Sequence, residues 1–235
     1  MLAIYKRELR SYFIGVIGYV FLVIYLAMAG VLFSYTTMFS MSSDVTRYFT
    51  LMLIFSAIVL PLLTMKSFSE ERKTKTEQLI LTAPISLPSM VIAKFLASYT
   101  VFGGATVFSS LYFLFLTPYA KLQFAILFGN LVALLLVGMV FISIGLFVSA
   151  LTENQLSAAI GTIAIILAFL GIGLINNLLP TNYALRFLFS AISIFSRFQS
   201  YVNGYFELAT LVYYLSVSAI FLWLTIRVYD RRRFG

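Results

Sequence analysis

The stretch LVALLLVGMVFISIGLFVSA, residues 131–150, contains twenty residues and no charge. As an α-helix of about 1.5 Å rise per residue, it is long enough to cross the roughly 30 Å hydrocarbon core of a bilayer. A membrane β-strand would alternate apolar and polar residues over about ten positions, and this stretch does not alternate. The stretch therefore predicts a membrane-spanning helix.

Similar runs recur along the whole chain, which is 62% hydrophobic and only 10% charged, against roughly 45–50% and 25% in soluble domains. Charge-free runs of about 18 residues or more occupy residues 11–43, 48–65, 95–120, 122–152, 154–185 and 208–226. They predict spans at about 14–37, 48–65, 89–116, 124–150, 155–178 and 207–229. We therefore expect an all-α integral membrane protein, with residues 1–235 as one transmembrane domain.

The net charge of +8 indicates orientation rather than nucleic-acid binding. If six helices cross in turn, twelve of the 16 Lys and Arg residues fall on the side of both termini, and four on the other. The positive-inside rule then places both termini in the cytoplasm, in a multi-pass protein of the plasma (inner) membrane. Residues 2–13 interleave apolar and basic side chains, so we expect an amphipathic helix in the lipid interface.

The sequence lacks the residues that several kinds of site and reaction require. It has no cysteine or histidine, and it contains no Gly-x-x-x-x-Gly-Lys-Ser/Thr phosphate loop. The predicted span centres hold no ionisable residue, which disfavours a proton-coupled carrier and an intramembrane hydrolase. We therefore expect no catalytic residue, metal site or cofactor on this chain.

The segment SFSEERKTKTEQLILTAPIS, residues 67–86, is the exception to the apolar pattern. The Ser67-x-x-Glu70 spacing is typical of a helix-capping box, and Pro84 is expected to end the helix. The segment therefore predicts a short helix over residues 68–81 that is polar nearly all round. Such a helix is either a solvated linker or a docking element for a cytoplasmic partner, anchored by Phe68 or Leu79.

This loop resembles the signature of ABC transporter type-2 permeases. The matching positions are Glu71, Arg72, Thr76, Glu77, Leu79 and Pro84. The family often has glycine where this chain has Lys75. The topology also resembles that family, and residues 192–233 resemble its gliding-motility-type branch.

The resemblance implies that residues 68–81 form a coupling helix that inserts into a separate ATP-binding subunit, which would carry ATP and Mg²⁺. The implied contact residues are Phe68, Glu70, Glu71, Arg72, Thr76, Glu77 and Leu79. The resemblance also implies a second permease, either another copy of this chain or a relative. An extracytoplasmic accessory protein is a further candidate partner.

Small residues four positions apart predict close helix contacts. Gly145 and Ser149 form such a pair in span four, and Ser157 and Gly161 form another in span five. In the related family, spans one and five often form the dimer seam, so Ser157 and Gly161 are the candidate seam here. Contacts within one chain would explain both pairs equally well.

Residues 179–206 are external but rich in aromatic side chains. We expect two short helices in the outer interface. The segment is either an interfacial anchor or an external gate, for which the candidate residues are Tyr183, Phe187, Phe195 and Phe198.

Three functional classes follow from the sequence. The first is the permease subunit of an ATP-powered exporter. The second is a membrane scaffold that does not transport but passes ATP-driven motion to an external protein. The third, a channel or sodium-coupled carrier, would function without nucleotide.

Overall fold

The computed structural model describes residues 1–40, 45–78, 86–116, 124–178, 193–202 and 207–234, with the backbone alone for 174–178 and 234. In the described part the secondary structure is entirely helical. The α-helices are α1 (Leu2–Ile14), α2 (Val16–Phe33), α3 (Val45–Lys73), α4 (Leu87–Ser110), α5 (Phe124–Leu151), α6 (Gln155–Leu178), α7 (Ile194–Val202) and α8 (Leu208–Phe234). A π-helical turn, Ser34–Met38, extends α2, and a 3₁₀ segment, Leu111–Leu116, extends α4.

Six of the described helices are long and apolar enough to cross a membrane. They are Val16–Met38, Val45–Lys73, Leu87–Leu116, Phe124–Leu151, Gln155–Gly173 and Leu208–Arg233. The prediction of a helical protein with six candidate spans is confirmed. Ion pairs and hydrogen bonds bring together α1, the end of α3, the start of α4 and the ends of α5 and α8. We call this part of the bundle the charged end.

The predicted N-terminal helix forms as α1, separated from α2 by the extended backbone of Gly15. The corner is tight, because a Cβ atom on Gly18 would lie 2.3 Å from the carbonyl oxygen of Tyr12. The hydroxyl of Tyr12 donates to the carbonyl of Leu63 (3.1 Å) and lies 2.8 Å from that of Ser98. These contacts attach α1 to both α3 and α4.

The α3–α5 contact forms the centre of the bundle. A Cβ atom on Gly145 would lie 2.1 Å from the Thr64 hydroxyl, so only glycine allows the two helices to approach this closely. One turn further on, the Ser149 hydroxyl accepts from the backbone N–H groups of Phe68 and Ser69, each at 3.1 Å. It also donates to the carbonyl of Met65 at 3.1 Å. The predicted small-residue pair is therefore a contact face, and it lies within the chain.

The predicted start of the coupling helix is wrong. Helix α3 runs without interruption from Val45 to Lys73, so no new helix begins at Ser67 and no capping box forms there. Ser67 is buried, and its carbonyl accepts a hydrogen bond from Lys94. The polar residues that follow Lys66 are held by contacts with neighbouring helices, which allow α3 to continue past its apolar part. The predicted end of the helix, at Leu81, lies outside the described residues.

At the other end of the bundle, α7 is a short helix between the fifth and sixth candidate spans. The Tyr214 hydroxyl of α8 donates to the carbonyl of Ile194 at 3.0 Å, and Arg197 lies 4.5 Å from the ring centre of Tyr213. A short helix is therefore present in the segment 179–206, for which two short helices are predicted. Residues 179–192 and 203–206 of that segment lie outside the described part.

Candidate functional site

The turn that follows α3 is an exposed part of the charged end. Residues 73–76 are exposed. The hydroxyl of Thr74 donates to the carbonyl of Glu70 at 2.8 Å, and that of Thr76 donates to the carbonyl of Glu71 at 3.3 Å. The last carbonyls of a helix lack partners within it, so these threonines complete the end of α3.

Lys75 has a φ of 58°, and it is the only non-glycine residue of the described chain with a positive φ. Left-handed backbone is usual just after a helix, where glycine adopts it without a steric penalty. The geometry explains why glycine suits this position in the family that the loop resembles. Lys75 keeps the turn but bears the steric penalty of its own Cβ atom.

Lys94 is the centre of a buried ionic cluster beneath this turn. Its side chain is 1% exposed, and its ammonium lies 2.8 Å from Glu71, 3.3 Å from Glu8 and 2.8 Å from the carbonyl oxygen of Ser67. A lysine ammonium has three N–H donors, and three acceptors surround it here. Because Glu8, Glu71 and Lys94 come from α1, α3 and α4, the cluster joins three helices.

Arg7 completes the cluster at its exposed edge. Its guanidinium lies 2.7 Å from Glu8 and 3.7 Å from Glu71. The hydrogen bond with Glu8 raises the pKa of Arg7, which favours the charged guanidinium. The two carboxylates are therefore balanced by two cations.

Phe68 does not have the position predicted for a partner anchor. Its side chain is fully buried, with its ring centre 5.0 Å from that of Tyr229 on α8 and 5.0 Å from the ammonium of Lys94. The prediction was wrong because it rested on residue type alone: a large apolar side chain in a polar segment can either anchor a partner or pack into its own chain. Phe68 fixes the end of α3 to α4 and α8.

Two arginines connect the turn to α5 and α8. Arg72 donates to the carbonyl of Leu151 at 2.8 Å and pairs with Glu153 at 2.8 Å. Arg232 donates to the carbonyl of Ala150 at 2.7 Å and pairs with Glu77 at 3.3 Å. The last two carbonyls of α5 thus accept hydrogen bonds from the guanidinium groups of α3 and α8. The predicted contact residues Glu71, Arg72 and Glu77 therefore have ion-pair partners within the chain.

An exposed surface remains above these contacts. It consists of Lys73, Thr74, Lys75, Thr76, Gln78, Glu153 and Asn154, which we call the turn surface. Glu70 adjoins it, 39% exposed and paired with Lys66 at 3.1 Å. Leu79, the other predicted anchor, lies outside the described residues.

The remaining predicted residues are the seam and gate candidates. Ser157 is exposed on α6, whereas a Cβ atom on Gly161 would lie 3.1 Å from Val148 of α5, so Gly161 faces its own chain. Among the candidate gate residues, Phe198 is fully buried and Phe195 is half-buried. Tyr183 and Phe187 lie outside the described residues.

The Lys94 cluster is not among the sites predicted from the sequence, where Lys94 is one of the charges that set the topology. A signal was present: Lys94 is the only charged residue between Glu77 and Lys121. A single cation inside a long apolar stretch requires a partner of opposite charge. The nearby carboxylates before it in sequence, Glu70, Glu71 and Glu77, were the obvious candidates. Nothing in the sequence pointed to Glu8.

The comparison with protein families gives a match over most of the chain. A family model described as ABC-2 family transporter protein matches residues 25–233. The comparison with curated proteins gave no match. The family match covers all six candidate spans except the first residues of the first one, and it includes the turn surface. The chain therefore belongs to the ABC-2 family of transporter proteins, whose members are transmembrane permease components rather than enzymes.

Proposed function

We propose that this chain is the permease subunit of an exporter in the plasma (inner) membrane, driven by a separate ATP-binding subunit that carries ATP and Mg²⁺. The turn surface is the docking site for that subunit. Both termini and the charged end face the cytoplasm, as the excess of Lys and Arg there favours.

The observation that carries this proposal is the way the exposed turn is fixed to the bundle. Lys94 links it to α1 and α4, Arg72 links it to α5, and Arg232 links it to α8. A force applied to the turn therefore acts on several spans together. A loop whose only role was to connect α3 with α4 would not need these ionic contacts.

A dimer completes the proposed transporter, and it is formed with a second copy or a related permease. The seam includes Ser157 on α6, where the neighbouring Leu156 and Ile160 are 69% and 67% exposed. Ile160 is three positions after Ser157 and four after Leu156, so it shares a helix face with both. We also place the chain in the gliding-motility-type branch, on the resemblance of residues 192–233.

Cross-linking tests the proposal directly, because the chain has no cysteine and a single substitution gives a unique thiol. Thr74→Cys on the turn surface is compared with Phe39→Cys, which is 84% exposed and follows the opposite end of α2. Thr74→Cys should cross-link to a co-expressed ATP-binding subunit and block its ATP hydrolysis. If both variants cross-link equally, or neither does, the docking site is wrong.

A further inference from the structure

A groove at the charged end lies between α1 and α3, next to the Lys94 cluster. It has a volume of about 590 Å³ and is lined by the cations Lys6, Arg7, Arg10 and Lys66, together with Ser11 and the corner at Gly15. On α1, Arg10 is four positions after Lys6 and three after Arg7, so it shares a helical face with both. No described carboxylate lines the groove.

The grouping of these cations is unfavourable in the chain alone, because like charges repel. Two of them already have carboxylate partners: Arg7 pairs with Glu8, and Lys66 pairs with Glu70. Lys6 and Arg10 have no ion pair or hydrogen bond from their side chains within the described residues. An anion in the groove would offset the repulsion and use these available N–H donors.

The wall beside this groove is apolar and exposed. Ile14, which also lines it, is 72% exposed, and Val16 just beyond the corner is 74% exposed. A soluble phosphate would gain nothing from these side chains. A phospholipid would place its phosphate on the cations and its acyl chains against the apolar wall.

From these observations we propose that the groove between α1 and α3 binds the headgroup of an anionic phospholipid. Arg10 and Lys6 hold the phosphate, and Ile14 and Val16 contact the acyl chains. The bound lipid holds α1 at the membrane surface beside the turn surface. The inference needs the charged end to face a lipid leaflet, but it does not depend on the ATP-binding subunit.

The test compares retention of phosphatidylglycerol and phosphatidylcholine by the purified full chain, measured by native mass spectrometry after delipidation and addition of each lipid. The variant Lys6→Gln/Arg10→Gln removes the two unpaired cations of the groove. The control Lys73→Gln/Arg231→Gln removes two exposed cations elsewhere at the charged end. A third variant, Lys6→Arg/Arg10→Lys, keeps the charge.

The unmodified chain should retain phosphatidylglycerol in preference to phosphatidylcholine. The groove variant should lose this preference by about thirtyfold, since each of the two basic residues near an anionic lipid surface adds about 1 kcal/mol. The control and the charge-keeping variant should retain it, which excludes a general charge effect or misfolding. Equal losses in the groove variant and the control, or displacement of the lipid by millimolar inorganic phosphate, would overturn the proposal.

Discussion

The ammonium of Lys94 lies 2.8 Å from the carboxylate of Glu71, and this contact joins α4 to α3 across 23 residues of sequence. Burial of an ion pair costs desolvation energy, which is recovered only when the remaining hydrogen-bonding groups are also satisfied. Here the Ser67 carbonyl and Glu8 supply the other two acceptors for the ammonium. The end of α3 therefore cannot shift without moving α4 and α1, which is what the proposed transmission of motion from an ATP-binding subunit requires.

Lys94→Met should lower the free energy of unfolding by roughly 3 kcal/mol, because it leaves two neighbouring carboxylates without their shared cation. Thermal or denaturant unfolding of the detergent-solubilised chain measures this change. Adding Glu71→Gln should restore part of the loss by removing one of the uncompensated charges. Lys73→Met is the matched control, since Lys73 is exposed and should change the stability by less than about 0.5 kcal/mol. A stable Lys94→Met chain would show that the cluster is not structural.

The spans could be predicted from the sequence because each needs only a long apolar run. Helix α1 could be predicted from the interleaved apolar and basic side chains of residues 2–13. It failed for residues 67–73, where local rules and tertiary contacts disagree. The Ser67-x-x-Glu70 spacing favours a new helix, but the buried Lys94 holds Ser67 and Glu71 in the continued α3. Such contacts join residues far apart in sequence, so no local pattern contains them. The burial of the Phe68 side chain likewise depends on contacts with residues far away in sequence, Tyr229 and Lys94.

Glu77→Lys should destabilise the chain itself, in addition to weakening any contact with an ATP-binding subunit. It replaces the ion pair between Glu77 and Arg232 with two facing cations, at a site where the two side chains are only 14% and 22% exposed. We expect a loss of about 1 kcal/mol in the free energy of unfolding, measured without a partner. Gln78→Lys adds one positive charge at the next, exposed position and should cost less. Equal effects of the two substitutions would assign no role to the Glu77–Arg232 pair.

Lys75→Gly should be tolerated, whereas Lys75→Ile should destabilise the turn. At a φ of 58°, a β-branched side chain is strained, and the difference between the two variants should be about 1–3 kcal/mol. The unfolding of the purified chain measures stability, and stimulation of the ATP-binding subunit measures the shape of the turn surface. Lys73→Ile is the control, because Lys73 still lies in the right-handed helix α3. If Lys75→Ile is as stable as Lys75→Gly, the left-handed turn is not formed in solution.

Gly145→Ala should separate α3 from α5 and weaken the chain. The new Cβ atom would lie 2.1 Å from the Thr64 hydroxyl oxygen and 2.8 Å from the Thr64 Cβ, so the helices must move apart. Overpacking of this kind costs about 1–3 kcal/mol. Gly104→Ala on α4 is the matched control, because nothing lies within 4 Å of the Cβ that it would add. That substitution should be neutral or stabilising, since alanine is favoured over glycine within a helix by up to about 1 kcal/mol. The double variant Gly145→Ala/Thr64→Ala should recover part of the loss, because it removes the hydroxyl that the new methyl group meets.

The displacement of α3 from α5 by Gly145→Ala would also pull the Ser149 hydroxyl from α3 and loosen the turn surface. Gly145→Ala should therefore also reduce stimulation of the ATP-binding subunit, although Gly145 lies well inside the candidate span Phe124–Leu151.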